Sequence, residues 1–175
     1  MNFQSSCTIP VSRDALWDFL LDIPTVCRCV PGLHDVSAVE KDTYRGLLKV
    51  KVGPIALNLR CSVHIGSLDK ASWSATASGQ ADDIKIRGGL RATTSMFLYS
   101  VSAQETELKV ETDVTFLGKL GEFGQAIIRR KSDALMQEFA ENIGRELAQA
   151  CPKDEYPAAK FVRIKKLLQN WLLKG

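Results

Sequence analysis

The chain has 175 residues, 45% of them hydrophobic, and a formal net charge of +3. That length gives one domain plus an appendage, with core enough to need no disulfide or metal staple. The charge is unevenly placed: residues 153–175 hold six Lys/Arg against two Asp/Glu, and residues 1–152 hold 17 against 18, so the near-neutral body is a poor match for nucleic acid.

Residues 3–11 read as a first strand. Ser12 is a natural N-cap for a helix running through Leu21, with Leu16, Phe19 and Leu20 at helical spacing. Pro24 opens a second short helix, and Val30-Pro31-Gly32 ends it. From Leu33 to Phe116 the apolar period becomes two. Strands are expected over 43–52, 55–68, 72–81, 84–101 and 105–116, with Gly53-Pro54 as a tight hairpin. In the second of these, Ile55, Leu57, Leu59, Cys61, Val63 and Ile65 face one way. Ala56, Asn58, Arg60, Ser62 and His64 face the other. Short polar breaks between strands predict an antiparallel meander.

One long helix is expected between Leu120 and Ala150. Its stripe is Phe123, Ile127, Leu135, Phe139, Ile143 and Leu147, reinforced by Ile128 and Met136 and interrupted by Lys131. Cys151-Pro152 stops it, and residues 153–157 form a polar linker. With the strand that opens the period-two region at Leu33, the order is therefore one strand, two short helices, six strands and one long helix. A curved antiparallel sheet gripping that helix is the natural packing, because the helix needs a large apolar partner.

Residues 160–174 have a different character. They contain five basic residues and no acidic one. At 100° per residue, Phe161, Ile164, Leu167, Leu168, Trp171 and Leu172 share one arc; Arg163, Lys166, Gln169 and Asn170 lie opposite, with Lys160 and Lys165 at the edges. That pattern suits a helix lying in a membrane interface, where lysine stems snorkel and each basic residue gains about 1 kcal/mol near anionic lipid. The segment is too short and too charged to span a bilayer. The same pattern also fits a last helix packed on its own domain or on a partner.

Small side chains recur on the expected inner faces: Trp73, Ala75, Ala77 and Gly79 on one strand, and Ile84, Ile86, Gly88, Leu90, Ala92, Thr94, Met96 and Leu98 on the next. Such faces either leave space for a ligand or let the helix approach. Gly118, Gly121 and Gly124 recur every third residue where strand gives way to helix, a placement that calls for close approach or a deformable joint.

Val30-Pro31-Gly32-Leu33, Lys51-Val52-Gly53-Pro54-Ile55, Gly118-x-Leu120-Gly121 and Phe139-x-x-Asn142-Ile143, in that order, resemble the CoxG family of carbon monoxide dehydrogenase subunits, within the START-like helix-grip superfamily. The resemblance covers about residues 1–150. It implies an α+β fold, a seven-stranded antiparallel sheet around a C-terminal helix, enclosing an apolar cavity. It also implies association with molybdenum-containing hydroxylases of the carbon monoxide dehydrogenase type at the membrane, and a superfamily cavity for lipids, polyketides, steroids and similar apolar molecules; the ligand expected here is an isoprenoid quinone or similar lipid. The expected domain is 1–152, followed by linker and basic helix over 153–175.

On that reading the cavity candidates are Trp73, Ala75, Ala77, Met96, Leu98, Phe116, Phe123, Ile127 and Met136, with Gly121 and Gly124 as a gate. The membrane-binding set is Lys160, Phe161, Arg163, Ile164, Lys165, Lys166, Leu168, Trp171 and Leu172. No catalytic or metal site is expected. His34 and His64 are the two histidines, His64 on a polar strand face; Asp82-Asp83 reads as a turn; the cysteines lack metal or disulfide spacing. The glycines lack a phosphate-loop context. The opening Met1-Asn2-Phe3-Gln4 has no basic start or apolar run, so a cytosolic protein with reduced thiols, peripheral to the inner face of the cell membrane, is expected. Two other readings stay open: a pure adaptor without ligand, and an enzyme of the aromatase or cyclase type.

Overall fold

The computed structural model describes residues 1–83 and 85–150. The linker, the basic segment and its membrane-binding set lie outside the described residues, as does Ile84. The elements are β1 (Asn2–Ile9), α1 (Arg13–Leu21), α2 (Ile23–Cys29), β2 (Leu33–Glu40), β3 (Thr43–Val52), β4 (Ile55–Asp69), β5 (Ser74–Asp83), β6 (Gly88–Ser102), β7 (Glu105–Gly118), a 3-10 turn (Lys119–Phe123) and α3 (Gln125–Ala150). All neighbouring strands pair antiparallel in the order β1-β7-β6-β5-β4-β3-β2.

Local chemistry explains most boundaries. Ser12 caps α1 by accepting from the Ala15 amide at 3.4 Å. Asp22 caps α2 in the same way, accepting from the Thr25 amide and hydroxyl. Several boundaries differ from the sequence reading by one to five residues, among them the end of β1 at Ile9 and of β5 at Asp83, and three of the differences have a visible local cause. β6 starts at Gly88 rather than at residue 84, because Asp83 gathers the turn amides of Lys85 and Ile86 and Arg87 takes a φ of 51°. Trp73 belongs to the turn before β5, with a φ of 53°. α3 starts at Gln125 rather than Leu120, because Gly118 (φ 60°) and Gly124 (φ 72°) bracket the 3-10 turn.

The concave face of the sheet follows from the register. Leu57 and Leu59 of β4 stand beside Val50 and Leu48 of β3. Across β6 and β7 the same face carries Leu90 beside Phe116, Ala92 beside Val114, and Leu98 beside Leu108. The expected alternation of β4 holds in direction but not in burial: Leu57 and Leu59 are buried, whereas Ile55 and Val63 are exposed. The sheet is longer than the helical layer that covers it.

Two apolar clusters clamp the layers at opposite ends. Ile9, Leu16, Trp17, Leu98, Leu108 and Ile143 join β1, α1, the ends of β6 and β7, and α3. Val52, Leu57, Leu59, Ala81 and Leu120 close the end that carries the β3–β4 hairpin and the 3-10 turn. Each fully buried side chain of this kind contributes about 1.5–3 kcal/mol. Asn142 of α3 donates to the Cys29 carbonyl at the end of α2 at 2.8 Å, and the Thr106 hydroxyl donates to the Val11 carbonyl at 2.8 Å. The first ties α3 to α2 within the helical layer, and the second ties β7 to the β1–α1 connection beside the first cluster.

Candidate functional site

Beside the first cluster the layers stand apart, and Val52, Leu57, Leu59 and Leu120 of the second cluster form part of the wall of that space. The space is a cavity of about 440 Å³, within the range of small-molecule sites. Its sheet wall includes Leu48, Val50, Leu57, Leu59, Leu90, Ala92, Val110 and Val114. Its helical wall is one stripe of α3: Ile128, Lys131, Ser132, Leu135, Met136 and Phe139. Spacings of three and four put these on a single face. Val30 and Pro31 close one side, while Leu120 and Phe123 of the 3-10 turn close the hairpin end. Among the described residues, Ser5, Thr112, Ser132 and Lys131 are the polar lining residues, and Lys131 is the one ionisable group among them. A wall of that composition is suited to apolar matter and offers few groups for acid–base chemistry.

Of the residues expected at the cavity, Phe116, Phe123 and Met136 line it. Met96, Leu98 and Trp73 belong to the cluster at the α1 end instead. There the Trp73 ring meets Trp17 edge-on at 5.8 Å and lies 4.3 Å from the Arg13 guanidinium carbon. Ala75 and Ala77 share the concave face, opposite Met96 and Thr94, but lie beyond the cavity. Ile127 is 49% exposed, and its neighbour Ile128 lines the cavity. The reason is helix phase. Phe123 is not in α3, so it cannot anchor the stripe; counting back from Phe139 and Leu135 lands on Lys131 and Ile128. The alternation of β3 and β4 already marks Leu57 and Leu59, which the sequence reading leaves out of the cavity.

The expected gate divides. A Cβ on Gly118 would come 2.4 Å from the Arg87 carbonyl oxygen, so this glycine is required for both contact and φ. Gly124 has open space but a φ of 72°. Gly121 has its nearest neighbour at 3.9 Å and would accept a side chain.

Several titratable groups outside the cavity have structural roles. The Asp83 carboxylate is buried and accepts from the Asn58 amide at 2.7 Å and the Lys85 amide at 2.8 Å. Those bonds, the Asn58 one foremost, hold its pKa below the usual carboxylate value. Asp82 pairs with Arg60 on the solvent side. His34 is exposed, and exposed His64 shares a hydrogen bond with the Thr43 hydroxyl at 3.1 Å. Burial, helped by Glu107, pushes the Cys7 thiol up to about 11; burial also raises Cys27, Cys29 and Cys61. Among the described residues no group of three or more His, Cys, Asp or Glu is placed to hold a metal. No helix among them is long and apolar enough to cross a membrane.

Solved structures share this architecture. A conserved protein from Geobacillus kaustophilus superposes with a TM-score of 0.77 at 16% identity, covering 86% of this chain and 97% of its own. A START superfamily protein from Mycobacterium smegmatis gives 0.59 at 8% identity, covering 86% and 99%. The Zhui aromatase/cyclase from Streptomyces sp. R1128 gives 0.55 at 16% identity, covering 83% and 94%. At such identities the likeness establishes the START-like helix-grip fold and nothing finer. No curated protein matches the sequence. The model of the CoxG family, a carbon monoxide dehydrogenase subunit, matches residues 6–148, and the chain belongs to that family.

Proposed function

We infer that this protein is a non-catalytic carrier of an apolar molecule, of the isoprenoid quinone or lipid class, that works at a membrane surface beside a molybdenum hydroxylase of the carbon monoxide dehydrogenase type. The observation that carries this reading is the cavity of about 440 Å³ with its almost wholly apolar wall. Close-packed interiors do not leave large voids without reason. Family membership supports the accessory role, since the family takes its name from a subunit of that enzyme.

The residues 1–152 form the ligand-binding domain in this account, and 153–175 hold it to anionic lipid on the inner face of the cell membrane. The 3-10 turn is the gate: Leu120 and Phe123 line the cavity, and the turn hangs between two glycines of positive φ. Opening it would expose the cavity at the hairpin end.

The test is a transfer assay. Delipidated protein is given donor vesicles carrying a quinone and acceptor vesicles carrying a quinone-reducing reporter. The reading expects transfer in proportion to protein, and loss of vesicle binding on deletion of 158–175. Replacing Arg163, Lys165 and Lys166 with glutamate should abolish binding to anionic vesicles selectively. Transfer no faster than in protein-free vesicles would refute the carrier; equal binding without the segment would refute the tail's role. An aromatase or cyclase reading has one point in its favour, the shared fold of the Streptomyces enzyme. A cavity whose single ionisable lining group is Lys131 gives such chemistry little to work with.

A further inference from the structure

The four polar lining residues are gathered in one corner. Ser5 stands opposite Val110, and Phe3 opposite Thr112, on the same concave face of β1 and β7, so Ser5 and Thr112 are diagonal neighbours. The Ser5 hydroxyl donates to Asp133 of α3 at 2.9 Å. That contact brings Ser5 alongside the helical turn that carries Lys131 and Ser132. The rest of the wall is apolar.

Lys131 is out of pattern in that corner. It occupies the stripe between Ile128 and Leu135, where packing alone calls for an apolar side chain. It is half-buried, and no carboxylate among the described residues lies within 4.0 Å of its ammonium. Its helical neighbours do not supply a counter-charge: Arg129 and Arg130 precede it, Arg129 lies 5.8 Å from the Phe3 ring centroid, and Asp133 accepts from the Ser5 hydroxyl. A cation facing an apolar cavity is favourable only with an acceptor of its own.

We propose that the cavity takes an amphipathic molecule with an apolar body and a single oxygen-acceptor head, a carboxylate or a carbonyl, and that Lys131 binds that head in the corner formed with Ser5, Thr112 and Ser132. This rests on the carrier reading and adds polarity and orientation to it: the head lies against the start of α3 and β1, and the body extends along the strip between Leu57 and Phe139.

The test uses the full chain, delipidated, and a matched set of probes: myristate, a methyl ketone of the same chain length, the corresponding alcohol and the alkane. Affinities are read by displacement of a fluorescent apolar dye from wild type, Lys131→Met and Lys131→Arg. Met keeps an unbranched stem in an apolar stripe, so the variant should fold, as circular dichroism will verify. Wild type should prefer one acceptor-bearing probe over the alkane by about tenfold to a hundredfold, the worth of one charge-assisted hydrogen bond. Lys131→Met should erase that preference, while Lys131→Arg retains it. Tightest binding of myristate identifies an anionic head, and tightest binding of the ketone a neutral carbonyl. Probe preferences that are the same in wild type and Lys131→Met would overturn the proposal while leaving an apolar carrier standing. Failure of every probe to bind wild type would overturn both.

Discussion

Ala92→Leu tests whether the space under α3 is real. Ala92 lies on β6 in the cavity wall, beside Val114 and Gly79. Leucine adds three carbons to that wall, worth at most about 2.4 kcal/mol at 0.8 kcal/mol per buried methylene. Prior compaction of the unfolded chain removes roughly 10–40% of this, and fixing the leucine rotamer removes about 0.5–1 kcal/mol. The expected net is a stabilisation of about 1 kcal/mol for the ligand-free protein, which raises Tm by about 2–4 °C in a chain of this size. Urea unfolding of delipidated protein gives the free energy, and a dye-displacement titration should show weakened ligand binding in the same variant. A packed interior predicts the opposite sign, because overpacking costs about 1–3 kcal/mol. A destabilisation in that range with undiminished ligand binding would refute the reasoning.

Three further outcomes follow from the geometry. Gly118→Ala should lose about 2–4 kcal/mol in urea unfolding, since both its φ of 60° and the Arg87 carbonyl oppose a Cβ; Gly121→Ala should be neutral or gain up to about 1 kcal/mol. Asp83 has a folded pKa below its unfolded value, so its contribution is complete at neutral pH and is lost as pH falls through the depressed folded value. Asp83→Asn should therefore lower stability at pH 7 by about 1–3 kcal/mol and flatten the acid limb of a Tm-against-pH curve; an acid limb unchanged from wild type would contradict this. Asn142→Leu should cost about 1–3 kcal/mol by stranding the Cys29 carbonyl, seen as a shifted urea midpoint without change in m-value.

The fold is legible in the sequence because its signals are periodic and local. Alternation marks the strands, Ser12 marks the first helix, and the long stripe through Leu135, Phe139, Ile143 and Leu147 marks α3. The motif residues also find their reasons in the structure: Asn142 bonds α2, Ile143 is fully buried, and Gly118 faces a carbonyl. The site is less legible. Which inner-facing residues border empty space depends on where the first cluster fills the gap between the layers, and no local pattern reports that. Trp73 and Leu98 are as apolar as Leu57 and Val114, yet they fall within a filled cluster. Ile127 is misplaced by a helix start that differs by five residues, because two positive-φ glycines set off a 3-10 turn. Lys131 is visible as a break in the stripe, but its meaning needs the cavity in front of it.

The central claim is that the space between sheet and α3 holds an apolar molecule in the cell. Native mass spectrometry of the full chain purified from its own host, followed by solvent extraction, measures this directly. The account predicts an added mass at one molecule per chain, released by organic solvent and identified as a quinone or lipid. A chain that carries no added mass and also takes up none of a quinone or lipid panel would contradict it.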